Sequence, residues 1–131
     1  MNYLNTNQVV AIHDEVIEQI GGSKGVRDIR LIDSAVARPQ STFEGKGLYP
    51  DIFSKATALG HSLICNHPFI DGNKRTGYMS MRIFLNLNGY DIKASLDERY
   101  KFVMAIAQKT KDEKAISKWL KQHSRKINEK A

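Results

Sequence analysis

Apolar residues recur every three or four positions along almost the whole chain, and this periodicity constrains the fold more than any other feature. Val9, Ile12, Val16 and Ile20 form one such stripe. Residues at these steps lie on one face of an α-helix, whereas a half-buried strand alternates at every second position. No segment shows a convincing alternation, so the sequence predicts an all-α fold.

Glycine, proline and capping residues divide this pattern into separate helices. Gly21 and Gly22 end the first helix, because glycine readily reverses the chain after a helix. Pro39 ends the second, because the residue before proline disfavours the helical conformation. Ser95 and Thr110 each begin a capping box. We therefore predict about six helices, at 6–20, from about 28 to before 39, and at 51–66, 73–87, 95–109 and 110–123.

Residues 39–47 interrupt the helices with proline, serine and glycine, which is typical of a loop or a short hairpin that is exposed to solvent. The chain shows no repeat and no linker. Its 131 residues are enough to bury a core, so we predict a single domain over 1–131.

The composition is that of a soluble globular protein, with 41% hydrophobic and 26% charged residues. Cys65 is the single cysteine, which leaves no disulfide framework and favours a reducing compartment. Residues 1–6 lack the basic and apolar regions of a signal peptide, and no apolar run reaches membrane-spanning length. We expect a cytoplasmic protein without a membrane partner.

The formal net charge of +6 favours anionic partners such as nucleotides or an acidic protein. Much of the excess lies near the C-terminal end, at Lys109, Lys111, Lys114, Lys118, Lys121, Arg125, Lys126 and Lys130. Only Trp119 interleaves with these charges, and a stacking platform for nucleic acid needs aromatic residues among its cations. A solvated helix face is therefore favoured over a nucleic-acid patch.

The stretch 67–77, His-Pro-Phe-Ile-Asp-Gly-Asn-Lys-Arg-Thr-Gly, collects chemically active side chains between two predicted helices. His67 can take a proton from a hydroxyl near neutral pH. Asp71 supplies the hard oxygen ligand that Mg²⁺ prefers when the ion also binds substrate phosphates. The alternative role of Asp71 is to cap the helix that follows. Phe69 is expected to point inward as the structural anchor of the loop.

The residues after Asp71 have the character of a phosphate site. Gly72 lets backbone amides approach an anion closely, and Asn73 can donate to phosphate or cap the helix. Lys74 and Arg75 lie at the positive end of a helix dipole, which is unfavourable unless a bound polyphosphate compensates. Arg75 can then hold phosphate oxygens in a bidentate manner, with Lys74 as a point charge.

The remaining candidate residues favour structural interpretations. Cys65 lies close to His67, but such neighbours on a helix end point apart, and a buried inert thiol is favoured. His13 borders an apolar stripe and is typical of a histidine at the core edge. His61 and His123 have no supporting neighbours in sequence. No Cys/His spacing matches a structural zinc site.

The pattern His-x-Phe-x-Asp-Gly-Asn-Lys-Arg over 67–75 resembles the active-site loop of the Fic/Doc superfamily, and more closely its death-on-curing (Doc) toxin branch. The segments 10–14, 21–22 and 38–40 also look similar to Doc proteins. The resemblance implies a compact all-α domain that transfers part of ATP to a protein hydroxyl. In that scheme His67 deprotonates the hydroxyl, Asp71 binds Mg²⁺, and Asn73 and Arg75 orient the phosphates.

The resemblance leaves two reactions open. The general Fic pattern transfers AMP and has glycine where this chain has Lys74, and a second arginine where it has Tyr78. Doc proteins carry the lysine and are similar to kinases. They pass the γ-phosphoryl group to a threonine of elongation factor Tu and halt translation. Gly72 matches the general Fic pattern instead. Lys74 and the missing arginine outweigh it, so phosphoryl transfer is favoured over AMP transfer.

The resemblance also bears on the target and on restraint. Residues 39–47 correspond to the family's flap, which holds an extended target segment, and Phe43 is a candidate target contact; an ordinary surface loop is the alternative. The family's inhibitory pattern Ser/Thr-x-x-x-Glu-Gly/Asn is missing, since Arg125 lies four residues before Glu129. A separate antitoxin is therefore implied, with the first helix and its neighbours as docking surface.

Two non-enzymatic functions remain as alternatives. A Doc-like domain that has lost catalysis could act as a binding or repressor component, although the intact residues His67, Asp71, Asn73 and Arg75 argue against decay. A nucleic-acid binder driven by the basic charge would lose affinity steeply with added salt and would tolerate loss of His67.

Overall fold

A computed structural model describes residues 1–127; the predictions that involved Glu129 and Lys130 lie outside the described residues. Within this range the chain forms six α-helices, as the periodicity predicted. Their bounds are α1 Thr6–Ile20, α2 Ile29–Ala37, α3 Ile52–Asn66, α4 Asn73–Leu87, α5 Leu96–Ala107 and α6 Glu113–His123.

Capping side chains set most of these boundaries. The Asp51 side chain accepts from the backbone N–H of Ser54 at the start of α3, and the predicted box at Ser95 is present at the start of α5. The predicted box at Thr110 is wrong. Asp112 caps α6 by accepting from the N–H of Ala115, because the Thr110 hydroxyl is turned back to the last turn of α5.

The segment after α2 forms a short 3-10 helix, Arg38–Gln40, and then a two-stranded hairpin, which confirms the prediction for residues 39–47. Strand β1 is Thr42–Phe43 and β2 is Lys46–Gly47. Glu44 and Gly45 connect them with φ values of 52° and 79°, as a two-residue turn that follows the twist of a hairpin requires. All residues of the hairpin are exposed.

A second small sheet lies beside the helices, and the sequence pattern did not indicate it. Strand β3, Tyr90–Ile92, pairs antiparallel with β4, Ser124–Lys126. Three-residue strands are too short to show a period of two, so the pattern gave no signal. The pair joins the end of α6 to the end of α4.

Helix α3 occupies the centre of the fold and packs against α2, α4 and α6. Its crossing with α4 is close because a glycine on each helix takes the place of a side chain. A β-carbon at Gly77 would lie 2.5 Å from Cγ1 of Ile64, and one at Gly60 would overlap Met81. The loop between these two helices, residues 67–72, is the segment with the predicted chemistry.

The basic residues of α6 form a solvent-facing surface. Lys114, Lys118 and Lys121 are exposed, whereas Ile116 and Leu120 on the other side of the helix are fully buried. None of the helices in residues 1–127 is long and apolar enough to cross a membrane.

The close crossing predicts that alanine at position 77 destabilises the protein. We expect Gly77→Ala to lower the free energy of unfolding by about 1–2 kcal/mol, because overpacking against Ile64 costs more than the ~1 kcal/mol that alanine gains in helix propensity. Urea unfolding measures this. Gly47→Ala is the control, since a β-carbon there meets no atom within 4 Å. Equal effects of both substitutions would contradict the prediction.

Candidate active site

The loop 67–72 is held in place by the segment that joins α1 to α2. The backbone N–H groups of Arg27 and Asp28 both donate to the carbonyl of Pro68, at 2.8 and 3.0 Å, and the N–H of Ile70 donates to Gly25 at 3.2 Å. These hydrogen bonds pair the loop with residues 25–28 in the manner of a short strand. These backbone contacts therefore fix one edge of the loop.

His67 follows the last residue of α3 in the left-handed conformation, with φ 51° and ψ 58°. Arg27 stabilises this turn: its Nε donates to the carbonyl of His67 at 2.6 Å, and a terminal nitrogen donates to Asn66 at 2.8 Å. The imidazole is exposed and has no hydrogen-bond partner among residues 1–127. Its nitrogens are thus free to act on a substrate.

Arg27 was missed at the sequence level. It lies 40 residues from His67, in a stretch without helical periodicity. Its role depends on a tertiary contact, and the sequence carried no signal for that contact.

Phe69 and Asn73 form the internal support of the loop. Phe69 is buried and stacks on the ring of His13, with 3.9 Å between centroids. The Asn73 side chain accepts from the Phe69 N–H and donates to the Phe69 carbonyl, both at 2.9 Å. The side-chain amide of Asn73 is therefore engaged in holding the loop, and its phosphate contact stays a prediction.

The Asp71 carboxylate is exposed and is oriented by two backbone N–H groups. Ser23 donates to Oδ2 at 3.1 Å and Gly72 donates to Oδ1 at 2.9 Å. These hydrogen bonds, from Ser23 first and then Gly72, lower the pKa of Asp71 below its usual value. Gly22 makes room for the arrangement, because a β-carbon there would lie 2.7 Å from Oδ2.

The alternative role of Asp71 as the cap of α4 is wrong. Gly72 occupies the N-cap position in the left-handed conformation, with φ 77°, and makes no side-chain cap. The first N–H groups of α4 consequently have no capping side chain from residues 1–127. Such a helix start attracts anions through its free donors and its dipole.

Lys74 and Arg75 are exposed on the first turn of α4. Both line a groove of about 820 Å³ between α1, α4 and α5, whose walls include Val16, Met79 and Val103. The lining of this groove includes neither His67 nor Asp71. The two cations therefore stand between the loop on one side and an apolar groove on the other.

The other three histidines have structural contacts with residues from the rest of the fold. His13 is buried, and its Nε2 lies 2.7 Å from the carbonyl of Asp71, as expected for a structural residue at the core edge. His61 and His123 have no supporting neighbours in sequence. In the fold, His61 lies 4.0 Å from a carboxylate oxygen of Glu113, and His123 stacks on the Trp119 ring at 3.9 Å.

Cys65 has the environment of an inert thiol. It is half-buried, its Sγ lies 3.6 Å from the carbonyl of Ile106, and burial raises the pKa of the thiol. A nucleophilic cysteine requires the opposite shift.

The bonding of Asn73 predicts a stability effect that a residue acting on phosphate alone would not have. We expect Asn73→Ala to lower the free energy of unfolding by about 2–4 kcal/mol, because each buried backbone group left without a partner costs about 1–3 kcal/mol. Thermal or urea unfolding without ligand measures it. The exposed neighbour Lys74→Ala should change stability by no more than ~0.5 kcal/mol. An Asn73→Ala protein as stable as the wild type would contradict this role.

Comparison with known proteins places this site in a family. Residues 3–85 match the family model described as Fic/DOC family. The chain is 48% identical over 77 residues to Toxin Doc of Mycolicibacterium smegmatis, which is 59% of both chains, so it spans less than two thirds of that relative's length. It is 27% identical over 92 residues to Protein kinase doc of Escherichia phage P1, covering 70% of this chain and 72% of the relative. The match over most of the chain, including the whole loop, shows that this protein belongs to the Fic/Doc family.

Proposed function

We propose that this protein is a toxin that transfers the γ-phosphoryl group of ATP to a hydroxyl, threonine in particular, of a translation factor such as elongation factor Tu. The observation that carries the proposal is the exposed imidazole of His67, without an internal partner, on a loop that leads directly into the uncapped start of α4. A relative's name, Protein kinase doc, supports the choice of reaction. Arrest of translation would act in the cytoplasm.

His67 supplies the proton acceptor in this scheme. Transfer to a protein hydroxyl requires removal of the hydroxyl proton as the new O–P bond forms and the bond to ADP breaks. Arg27 fixes the backbone of His67 through its carbonyl, so the ring is aimed by the main chain while both nitrogens stay free. A rigidly held base is the arrangement that positioning requires.

The donor set fits a magnesium ion that arrives with ATP. Residues 1–127 contain no cluster of three or more His, Cys, Asp or Glu residues that could hold a metal by themselves. Mg²⁺ is commonly bound through one carboxylate together with substrate phosphates and water. Asp71, ionised and oriented by two N–H groups, fits as that carboxylate; the ion would neutralise phosphate charge during transfer.

The start of α4 provides the phosphate contacts. The free N–H groups after Gly72 and the positive helix end attract phosphate oxygens, and Lys74 and Arg75 add two cations on the same turn. Asn73 orders the loop through Phe69, and in this proposal it also contacts phosphate. ATP is thus a substrate held by one helix end and its first turn.

Two observations bear on the choice between phosphoryl and AMP transfer. The backbone conformation accounts for glycine at position 72, because its φ is 77° and a β-carbon there would lie 3.1 Å from Ile17. Gly72 therefore carries no information about nucleotide orientation. Tyr78, where the AMP-transferring pattern has a second arginine, is buried against Phe102 beneath Arg99. The Tyr78 position thus offers no cation to the phosphates.

The flap supplies the target contact in this proposal. Its two strands are short and exposed, and the Phe43 side chain is 67% exposed at the tip. An extended target segment can pair with such a hairpin edge through main-chain hydrogen bonds. Phe43 would then add an apolar contact beside the acceptor residue.

A separate antitoxin would inhibit the enzyme by binding in the groove between α1, α4 and α5. The groove has mostly apolar walls, and its charged lining residues are the cations Lys74, Arg75 and Arg99 and one carboxylate, Glu15. An amphipathic helix with acidic residues would satisfy both the apolar walls and the cations. The relatives' names identify one of them as a toxin, and a toxin requires a partner of this kind.

Label transfer is the direct test of the reaction. We expect purified protein with Mg²⁺ and a bacterial translation extract to move label from γ-labelled ATP, but not from α-labelled ATP, to an extract protein. His67→Ala should abolish the transfer while ATP still binds, because the base is lost and the phosphate contacts remain. His61→Ala is the matched control and should keep the activity.

The other outcomes each identify an alternative. Label from the α-phosphorus would make the protein an AMP transferase. No His67-dependent label from either position would refute the enzyme for this target pool and favour a binding or repressor role.

Growth on expression tests the toxin part independently. We expect the chain expressed alone to arrest bacterial growth and His67→Ala to be tolerated at the same protein level, because the sequence lacks the family's inhibitory pattern Ser/Thr-x-x-x-Glu-Gly/Asn. Colony counts after induction measure this. Normal growth with active wild-type protein would refute the need for a separate antitoxin.

A further inference from the structure

The base of the flap is tied to the helical core mainly by the side chain of Arg38. This residue opens the 3-10 helix that leads into the hairpin, and its guanidinium bonds in three directions. Its Nε donates to the hydroxyl of Tyr49 at 2.8 Å. One terminal nitrogen donates to Oγ of Ser62 at 3.2 Å, and the other donates to both carboxylate oxygens of Glu113 at 2.6 Å.

These contacts join the two ends of the flap. Arg38 precedes the hairpin and Tyr49 follows it, so the hydrogen bond between their side chains closes the flap at its base. We call this contact the clasp. The guanidinium also lies 5.5 Å from the centre of the Tyr49 ring. Two further hydrogen bonds close the base: Leu48 donates to the carbonyl of Ser41 at 3.0 Å, and Lys55 donates to that of Pro39 at 3.1 Å.

The same guanidinium fixes the flap relative to the catalytic loop. Ser62 lies on α3, the helix that ends immediately before His67, and Glu113 is the first residue of α6. The hairpin itself is exposed throughout, so it has no buried side chain of its own to hold it against the domain. Its position with respect to His67 is transmitted through the rigid turns of α3.

The burial and charge of Arg38 and Glu113 favour a rigid base of the flap. The Arg38 side chain is 27% exposed and that of Glu113 is 37% exposed. Burial opposes the charge on Arg38, but the hydrogen bonds and attraction of Glu113 outweigh it and raise the pKa of the guanidinium. One nitrogen donates to both oxygens of Glu113, and the other two donate to Ser62 and Tyr49. This arrangement uses the whole fork of arginine, which lysine cannot reproduce.

We propose that Arg38 is a positioning residue of the transfer reaction, which holds the flap at a fixed place relative to His67 and so presents the target hydroxyl to the base. This inference rests on the proposed function for its kinetic part. Its structural part, the clasp between Arg38 and Tyr49, does not.

The test compares Arg38→Lys with Arg82→Lys. Arg82 also binds both oxygens of a carboxylate, that of Asp91, with Nε to Oδ1 at 2.8 Å and a terminal nitrogen to Oδ2 at 3.2 Å, away from the flap. Backbone NMR order parameters of residues 42–47 should fall from about 0.85 to below about 0.6 in Arg38→Lys and stay unchanged in Arg82→Lys. Tyr49→Phe, which removes only the hydroxyl, gives a milder variant if Arg38→Lys fails to fold.

The kinetic readout separates positioning from stability. We expect Arg38→Lys to raise the KM for the protein target about tenfold or more, with KM for ATP unchanged, because the flap contacts the target alone. Unchanged order parameters, an equal loss in Arg82→Lys, or a mobile flap with normal target KM would each overturn the inference. If the wild-type protein transfers no label, the proposed function fails, and the order parameters still decide whether the clasp exists.

Discussion

The contact between Gly60 and Gly77 on α3 and α4 is the constraint on which the rest of the structure depends. A β-carbon at Gly77 would also lie 3.3 Å from the carbonyl of Gly60, so the two backbones meet almost directly. Because the helices cross this closely, the six residues between them must reverse the chain in a small space. That requirement produces the left-handed turns at His67 and Gly72. The reactive loop is thus a consequence of how two core helices pack.

A non-glycine residue in the left-handed conformation costs free energy, of the order of 1–3 kcal/mol when the surroundings impose it. Arg27 offsets this cost at His67 with its two donors to the turn, and the pairing of Pro68 and Ile70 with residues 25–28 adds three backbone hydrogen bonds. The support comes from the α1–α2 connection, which leaves the solvent side of the loop free. If His67 acts as the base of the proposed function, it can approach a substrate without breaking the contacts that hold it.

The helices could be predicted from the sequence because each one carries a complete amphipathic stripe and a local stop signal. Ser95 and Gly21 are examples in which the boundary information lies within four residues. The features that escaped prediction depend on contacts between distant segments. The pairing of Tyr90 with Lys126 spans most of the C-terminal half, and Arg27 reaches His67 from 40 residues away. The predicted cap at Thr110 was wrong for a local reason. Thr110 and Asp112 are both capping residue types, and Asp112 caps the helix because its side chain is free to do so.

The candidate site could also be predicted from the sequence only in part. The motif at 67–75 shows which residues have reactive side chains, but it does not show which residues of the motif stabilise the fold. Asn73 holds Phe69, and Gly72 satisfies a backbone angle, whereas Lys74 and Arg75 have exposed side chains and line the groove as well as the start of α4. In the proposed function these two cations are shared by ATP phosphates and by an antitoxin in the groove. Binding of one would then weaken binding of the other by the same factor, because linkage between two sites is reciprocal. A toxin built in this way is silenced most effectively when its partner is abundant, and high ATP works against that restraint.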